Sequence, residues 1–306
     1  MALRLGIATP TLRTWERRYG IGPSQRTVGG HRRYSEEDIV RVQLMGRLVS
    51  RGVSAQSAAR VAQSVEPEGL AAALAQPDPA LTSEPGHSPD LPATLAIENV
   101  IEAAATFDAA ALGQTFEQVF AEYGVVRGWT TVAVPALRAI GNSWADGALG
   151  VGSEHLVSEH LAGELRAVIR SKRPQILAPV VLASAEDEMH SLPLLAVEAA
   201  LATEGIGCYA LGSRLPIQAL TDLVARVEPV AVFVWASLTR LDNGQESPGL
   251  SRATARAPQV LLGGPGWPAG DDDSRRQPPV ERLDTLGAAV ERILNLVRDS
   301  APSPAG

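Results

Sequence analysis

Residues 9–38, TPTLRTWERRYGIGPSQRTVGGHRRYSEED, gather arginines and aromatic side chains around one short helix and one Gly-Gly turn. Thr9 suits a helix N-cap and Pro10 the first helical position, so the spacing predicts a helix that runs to Tyr19 and is stopped by Gly20. Leu12, Trp15 and Tyr19 then share one face at i, i+3 and i+7, while Arg13, Arg17 and Arg18 project from the other. After Gly20 the chain alternates loosely and turns at Gly29-Gly30, residues suited to the positive φ angles of a tight hairpin. Arg26 precedes that turn and His31, Arg32 and Arg33 follow it, so a basic wing is expected beside the helix. Ser35 caps the next helix, with Glu36, Glu37 and Asp38 in its first turn, where acids favour the helix dipole. An isolated arginine reads as solvated surface charge. Clustered on a helix and a wing, these residues read as a grip on duplex DNA, with Thr11, Arg13, Arg17, Arg18, Tyr19, Arg26, His31, Arg32 and Arg33 as the expected contacts. Trp15 and Tyr34 have two readings, contact with the sugar-phosphate backbone or filling of a small core.

The charge distribution agrees. Residues 1–75 hold 11 arginines and 6 acidic residues, a balance of +5, whereas the remainder holds 16 basic and 28 acidic residues, a balance of −12. A chain of net charge −7 can therefore still carry a basic DNA footprint, provided that it is segregated at one end. At this point the stretch from Leu3 to about Ala62 resembles the winged helix-turn-helix of MerR-type transcription regulators, through TLRTWERRYG, RTVGGHRRYSEED and the helix that follows. Only Met1 to Leu5 precede Gly6, too little for a supporting helix, so the domain is expected to be trimmed or to begin further upstream.

With 306 residues, 45% hydrophobic and 20% charged, the chain has room for two or three globular domains. Its one cysteine, Cys208, permits no intrachain disulfide and reads as a small buried hydrophobe in GIGCYALG. The front end has no apolar signal segment, and no stretch approaches the roughly 18 apolar residues needed to span a bilayer; a cytoplasmic location without membrane contact is expected. Residues 76–92, QPDPALTSEPGHSPDLP, hold five prolines and read as a linker. No heptad run follows the front domain, so self-association into a dimer or tetramer is expected from the sensor region beyond it.

From 93 to 172 four helical patterns, at about 94–105, 108–122, 125–142 and 152–171, predict a four-helix bundle. From 173 to 300 the pattern changes. Apolar runs QILAPVVLAS, GIGCYALG, PVAVFVWAS and QVLLGG alternate with helices at about 192–204 and 216–227, and a helix at about 281–298 closes the chain. Continuous apolar strands alternating with helices specify a Rossmann-like parallel sheet covered on both faces. The expected fold class is thus multidomain α plus α/β: winged helix-turn-helix over 1–75, linker, bundle, parallel-sheet domain, and a disordered tail at 301–306.

Ligands of such sheets sit at the carboxyl ends of the strands. The loop after the first strand, AEDEMHSLP, places His190 there with Glu186, Asp187 and Glu188; the third strand ends at Ser237 and the fourth at Gly263-Gly264. An imidazole can ligate a metal, an acidic neighbour can set its tautomer, and paired glycines let a bulky group approach the backbone. Glu188-x-His190, Ser237 and Gly263-Gly264 resemble, in order and spacing, the signature of the cobalamin-binding fold. Pro193 stands where that signature has glycine, and Leu238-Thr239 follow Ser237. The resemblance implies His190 as the lower axial cobalt ligand, with Glu188 or Asp187 behind it; the alternative is a surface histidine in a degenerate site.

In the bundle, Trp144 and, after nine residues, Glu154-His155 are similar to the Trp-x9-Glu-His pattern of the CarH/LitR group of light-responsive, cobalamin-dependent repressors. That likeness implies adenosylcobalamin as cofactor, capped by Trp144, Glu154 and His155. The alternative is a core tryptophan beside a wet helix face. Members whose light reaction ends with a second histidine on cobalt carry it directly after the tryptophan, where this chain has Ala145. The doubled SEHL cannot build one metal site, because a five-residue offset rotates His160 about 140° from His155; His155 is expected to bond Glu159 instead. The function implied is a non-enzymatic DNA-binding regulator, a repressor controlled by cobalamin. The alternatives are a regulator sensing another tetrapyrrole, small molecule or protein, and a corrinoid enzyme or methyl carrier.

Overall fold

The computed structural model describes residues 9–26, 32–50, 55–64, 90–145, 149–186, 188–237, 248–267 and 279–300. It divides into two compact units, Met1–Gln76 and Pro77–Gly306.

In the first unit, α1 (Thr9–Tyr19) forms over the expected residues, with Thr9 already inside the first turn. Gly20 ends it at φ +68°, its N–H returning 3.1 Å to the Glu16 carbonyl. Leu12 and Trp15 are buried with Ile21, Val42, Met45, Ala58 and Ala62. The chain then doubles back so closely that a Cβ on Gly22 would sit 2.8 Å from Glu16 Cβ. Strands β1 (Gln25–Arg26) and β2 (Arg32–Arg33) pair antiparallel, Gln25 opposite Arg33, and make the predicted wing. The Gly29-Gly30 turn and His31 lie outside the described residues.

Helix α2 (Glu36–Ser50) opens on a reciprocal cap: the Asp38 N–H donates to Ser35 Oγ at 3.1 Å, and Asp38 Oδ2 accepts from the Ser35 N–H at 2.8 Å. The same oxygen accepts from the Ser24 N–H and hydroxyl at 2.8 and 2.7 Å, tying the segment before the wing to α2. Beyond α3 (Ala55–Ser64), Arg41 donates to the Ala62 and Gln63 carbonyls and Gln63 to the Tyr19 carbonyl, satisfying the last carbonyls of two helices.

The first described residue of the second unit, Asp90, caps α4 (Leu91–Thr106) through the Ala93 N–H and is gripped by Tyr123 and Arg127. Helix α5 (Ala109–Gly128) is interrupted at Gly124, φ +71°, the break expected between 122 and 125. A π-helical turn, Trp129–Ala133, leads into α6 (Val134–Ala145), and α7 (Val151–Lys172) completes the bundle. The sheet follows with β3 (Val180–Ser184), α8 (Leu192–Thr203), β4 (Tyr209–Ala210), α9 (Ile217–Val227), β5 (Ala231–Trp235), α10 (Pro248–Thr254), β6 (Val260–Gly263), β7 (Val280–Leu283) and α11 (Leu286–Ser300).

All five strands are parallel in the order β4-β3-β5-β6-β7. The fifth strand corrects the sequence reading, which ran residues 281–283 into the closing helix; VERL pairs with β6 and the helix begins at Leu286. One face of the sheet, with Val180, Leu182, Phe233, Trp235 and Leu261, shares a single apolar core with bundle residues Phe116, Trp129, Leu161 and Leu165. The other, with Val181, Ala183, Val232, Val234 and Leu262, is covered by α9 and α10. Period-two alternation sorts the strand side chains between the two cores.

Candidate nucleic-acid interface and cofactor site

In the first unit α1 presents Arg13, Arg17 and Arg18 exposed on the side away from the buried Leu12 and Trp15, as the spacing predicts. Arg33 on β2 is also exposed, and Tyr19 and Tyr34 are half-buried. Trp15, 6% exposed, fills the core, one of its two readings. The side chains of Thr11, Arg26 and Arg32 lie outside the described residues. Asp38 is what the sequence did not reveal. Read only as a dipole acid, its side chain accepts from three donors, the Ser24 N–H, the Ser24 hydroxyl and the Ser35 N–H, while its own N–H donates to Ser35 Oγ. Burial pushes its carboxyl up, but the hydrogen bonds from Ser24 and Ser35 outweigh that and hold it below the usual range.

In the second unit the strand order places a topological switch point between β3 and β5, whose following helices lie on opposite faces. The loops leaving these two strands carry the predicted residues together. Glu188 is buried, 3% exposed. Its Oε1 accepts from the His190 N–H at 2.8 Å and lies 2.6 Å from His190 Nδ1; its Oε2 accepts from the Ser237 N–H and hydroxyl, each at 2.6 Å. Ser237 Oγ is also 2.8 Å from His190 Nδ1. Since the Ser237 proton goes to Glu188, the consistent tautomer carries hydrogen on Nδ1 and a lone pair on Nε2. Burial drives the Glu188 carboxyl up, yet hydrogen bonds and charge from His190, with Ser237, bring it below its ordinary value.

Glu188 is thus a partner of His190, as one of the two expectations had it; Asp187 lies outside the described residues. The loop is anchored further by the Arg214 N–H, which donates to the Glu188 carbonyl at 2.8 Å. Pro193 sits in the first turn of α8, where no backbone N–H is missed, so it continues the loop into helix without disturbing the clamp. An imidazole nitrogen with a carboxylate behind it is a fitting cobalt ligand.

Gly263 and Gly264 close β6 beside Ser237, but their freedom from side chains is used by the protein itself. A Cβ on Gly263 would collide with the Phe233 ring, and Gly264, at φ +96°, lies against the Ala236 carbonyl and the Trp235 indole. Trp267 was also missed: its Nε1 bridges the Val234 and Gly263 carbonyls at 3.2 and 3.0 Å, and Arg282 holds its carbonyl at 2.8 Å. The cue was a tryptophan three residues past the second glycine, in GGPGW.

In the bundle, α7 packs along α8, the helix that follows His190. Glu154 is half-buried and His155 exposed in the first turns of α7. His155 Nδ1 pairs with its neighbour Glu154 at 3.4 Å, where the helical spacing had suggested Glu159. The Trp144 side chain lies outside the described residues. Among the described residues no cluster of three metal-ligating side chains occurs, and no helix is long and apolar enough to cross a membrane. Burial pushes the Cys208 thiol up to about 12, with Glu198 adding to the shift, as expected of a packed and unreactive side chain.

Comparison with known proteins completes the description. The family described as MerR HTH family regulatory protein matches residues 1–65, and that described as B12 binding domain matches residues 96–168. The chain joins a MerR-type helix-turn-helix to a B12-binding domain. The second match spans the bundle ahead of the sheet. Over 261 residues the chain is 28% identical to the HTH-type transcriptional repressor CarH of Myxococcus xanthus, covering 85% of each. It is 27% identical to the HTH-type transcriptional repressor CarA of the same organism, over 76% of this chain and 73% of that one. The HTH-type transcriptional regulator MlrA of Escherichia coli is 45% identical over 53 residues, 17% of this chain and 22% of its own.

Proposed function

We propose that this MerR-type, B12-binding chain is a cytoplasmic transcription repressor, not an enzyme, whose assembly and operator affinity are set by a bound cobalamin, with adenosylcobalamin the first candidate and light the signal. The observation that carries the reading is the buried Glu188 clamp on His190 at the switch point of the sheet. His190 Nε2 would be the lower axial ligand of cobalt. Glu188 holds the opposite nitrogen protonated, and Ser237 keeps Glu188 in place, so the imidazole is aimed before any ligand arrives. Gly263 and Gly264 border that loop. Trp144, Glu154 and His155 would cover the upper face, where an indole can lie on a flat macrocycle and a carboxylate can accept from ribose hydroxyls. When bound, adenosylcobalamin supplies a cobalt–carbon bond that light can cleave. Ala145 offers no imidazole beside Trp144, so the lit state differs from a doubly histidine-ligated one.

On DNA, Arg13, Arg17 and Arg18 of α1, with Thr11 and Tyr19, would enter the groove, while Arg26, His31, Arg32, Arg33 and Tyr34 of the wing grip phosphate. One winged helix covers a half-site. Pairing through the second unit into a dimer or tetramer doubles the phosphate contacts and couples assembly to operator affinity.

Gel filtration and operator binding of the loaded chain in darkness and after illumination test the switch; identical behaviour in both defeats it. A changed visible spectrum on addition of adenosylcobalamin, altered in His190→Ala, is expected. Protein that stays colourless leaves a DNA reader tuned to another tetrapyrrole, small molecule or partner. Substrate turnover would mark a corrinoid enzyme or methyl carrier instead, a role in which the arginine-rich first unit has no use.

A further inference from the structure

Between β4 and α9 the chain passes through residues 211–216, LGSRLP, and two of them take left-handed backbone, Gly212 at φ +68° and Arg214 at φ +54°. Glycine adopts that conformation freely, whereas a residue with a Cβ enters it against steric repulsion. Such strain persists where the surrounding contacts over-determine the chain. Here they do so at three points. The Leu211 N–H donates to the Leu182 carbonyl at 2.9 Å, the Ser184 hydroxyl donates to the Gly212 carbonyl at 2.9 Å, and Leu215 joins the apolar core with Leu220 of α9 and Leu250 of α10.

The strained residue meets the His190 loop through its main chain, and Arg214 itself is exposed. Its N–H donates to the Glu188 carbonyl at 2.8 Å, while the Glu188 N–H donates to the Ala185 carbonyl at 3.1 Å, so both main-chain polar groups of Glu188 are engaged. With the peptides on either side of it set, the Glu188 side chain reaches two segments at once, Oε1 accepting from the His190 N–H at 2.8 Å and Oε2 from the Ser237 N–H at 2.6 Å. Rotation of the peptide between Glu188 and Met189 would carry the His190 amide off Oε1 and turn the ring with it. Proline at position 214 abolishes the donor and forces φ to about −65°; glycine keeps the donor and accepts the left-handed backbone.

Resting on the corrinoid reading above, we infer that Arg214 is a positioning residue for ligand binding: its main chain, not its guanidinium, holds Glu188 and thereby the His190 imidazole in the orientation that takes cobalt. Titration of the full chain and its variants with adenosylcobalamin gives affinity through the visible absorption change. A second titration uses adenosylcobinamide, which has no base of its own, so that a nitrogen-ligated cobalt spectrum reports a protein ligand and is lost in His190→Ala. Arg214→Pro is expected to weaken adenosylcobalamin about tenfold and to lower the nitrogen-ligated fraction of the saturated cobinamide complex. Arg214→Gly keeps the amide and retains the parental values of both. Ser184→Ala, which releases the Gly212 carbonyl, moves both in the direction of Arg214→Pro by less, about threefold in affinity, and carries the test if the proline variant does not fold. Parental behaviour of Ser184→Ala or of folded Arg214→Pro overturns the inference. So does loss of binding in Arg214→Gly, which would assign the effect to the guanidinium, and so does weakened affinity with an unchanged nitrogen-ligated spectrum, which would leave the segment a purely structural role. Failure of the unaltered chain to bind either corrinoid overturns the corrinoid reading itself, a result distinct from any difference among the variants.

Discussion

Asp38 in the first unit and Glu188 in the second are built alike and used differently. Each is a buried carboxylate that takes donors from a near neighbour and from a segment distant in sequence, Ser35 and Ser24 for Asp38, His190 and Ser237 for Glu188. Each is held below its ordinary pKa although burial alone would raise it. Every donor to Asp38 ends its business there: backbone amides and one hydroxyl have no second face, so the clamp can only fix the wing against α2. One donor to Glu188 is an imidazole, which presents a second nitrogen on its far side. A buried carboxylate becomes part of a binding site when what it orients can itself bind something.

The comparison is tested most severely by Glu188→Ala. The substitution strips the acceptor from the Ser237 amide and hydroxyl and from the His190 amide, and should cost about 3–5 kcal/mol in denaturant unfolding of the full chain. Glu188→Gln keeps the shape and loses the charge; corrinoid affinity should fall about 10–100-fold, with the protein still folded. Retained affinity in that variant would separate the clamp from ligand binding.

Asp38→Ala should be milder, about 2 kcal/mol, because it removes one helix cap and two Ser24 bonds from a more accessible site. Its effect should fall on operator binding while the corrinoid spectrum stays unchanged. The sign of the pH dependence is common to both clamps. A carboxylate whose folded pKa lies below its unfolded one contributes stability fully above about pH 4, and that contribution is lost as pH falls through the lower folded value. Acid titration of the unfolding free energy in Asp38→Asn should therefore lack part of the low-pH decline seen in the parent.

Much of this was readable from local order. Thr9, Pro10 and Gly20 mark α1, Gly124 marks the break in the bundle, and Glu188-x-His190 with Ser237 and the glycine pair gives the cluster that the fold assembles. What escaped depends on partners far apart in the chain. Asp38 looks like any first-turn acid until Ser24, fourteen residues away, is folded against it. The strand VERL has only its two end residues buried, too weak an alternation to stand out from the amphipathic helix behind it. Phe233 and Trp235 read as ordinary strand residues; only the register with β6 sets their rings over the glycines.

A third pair of ionisable groups supplies the control. Glu198 on α8 is also partly buried, but burial there is opposed only by the charge of Arg166, and its carboxyl is raised; nearby Cys208 rises with it. Burial is common to all three carboxylates, so the direction of the shift is decided by donors. A group whose folded pKa is raised contributes stability below its unfolded pKa and loses it as pH climbs through the folded value. At neutral pH the charged Glu198 is therefore a liability, discounted because the side chain is only partly buried. Glu198→Gln should stabilise the chain by about 0.5 kcal/mol at pH 7 and by nothing near pH 4. Thermal unfolding at the two pH values checks this, and a destabilised variant at pH 7 would mean that the Arg166 attraction, not desolvation, governs the site.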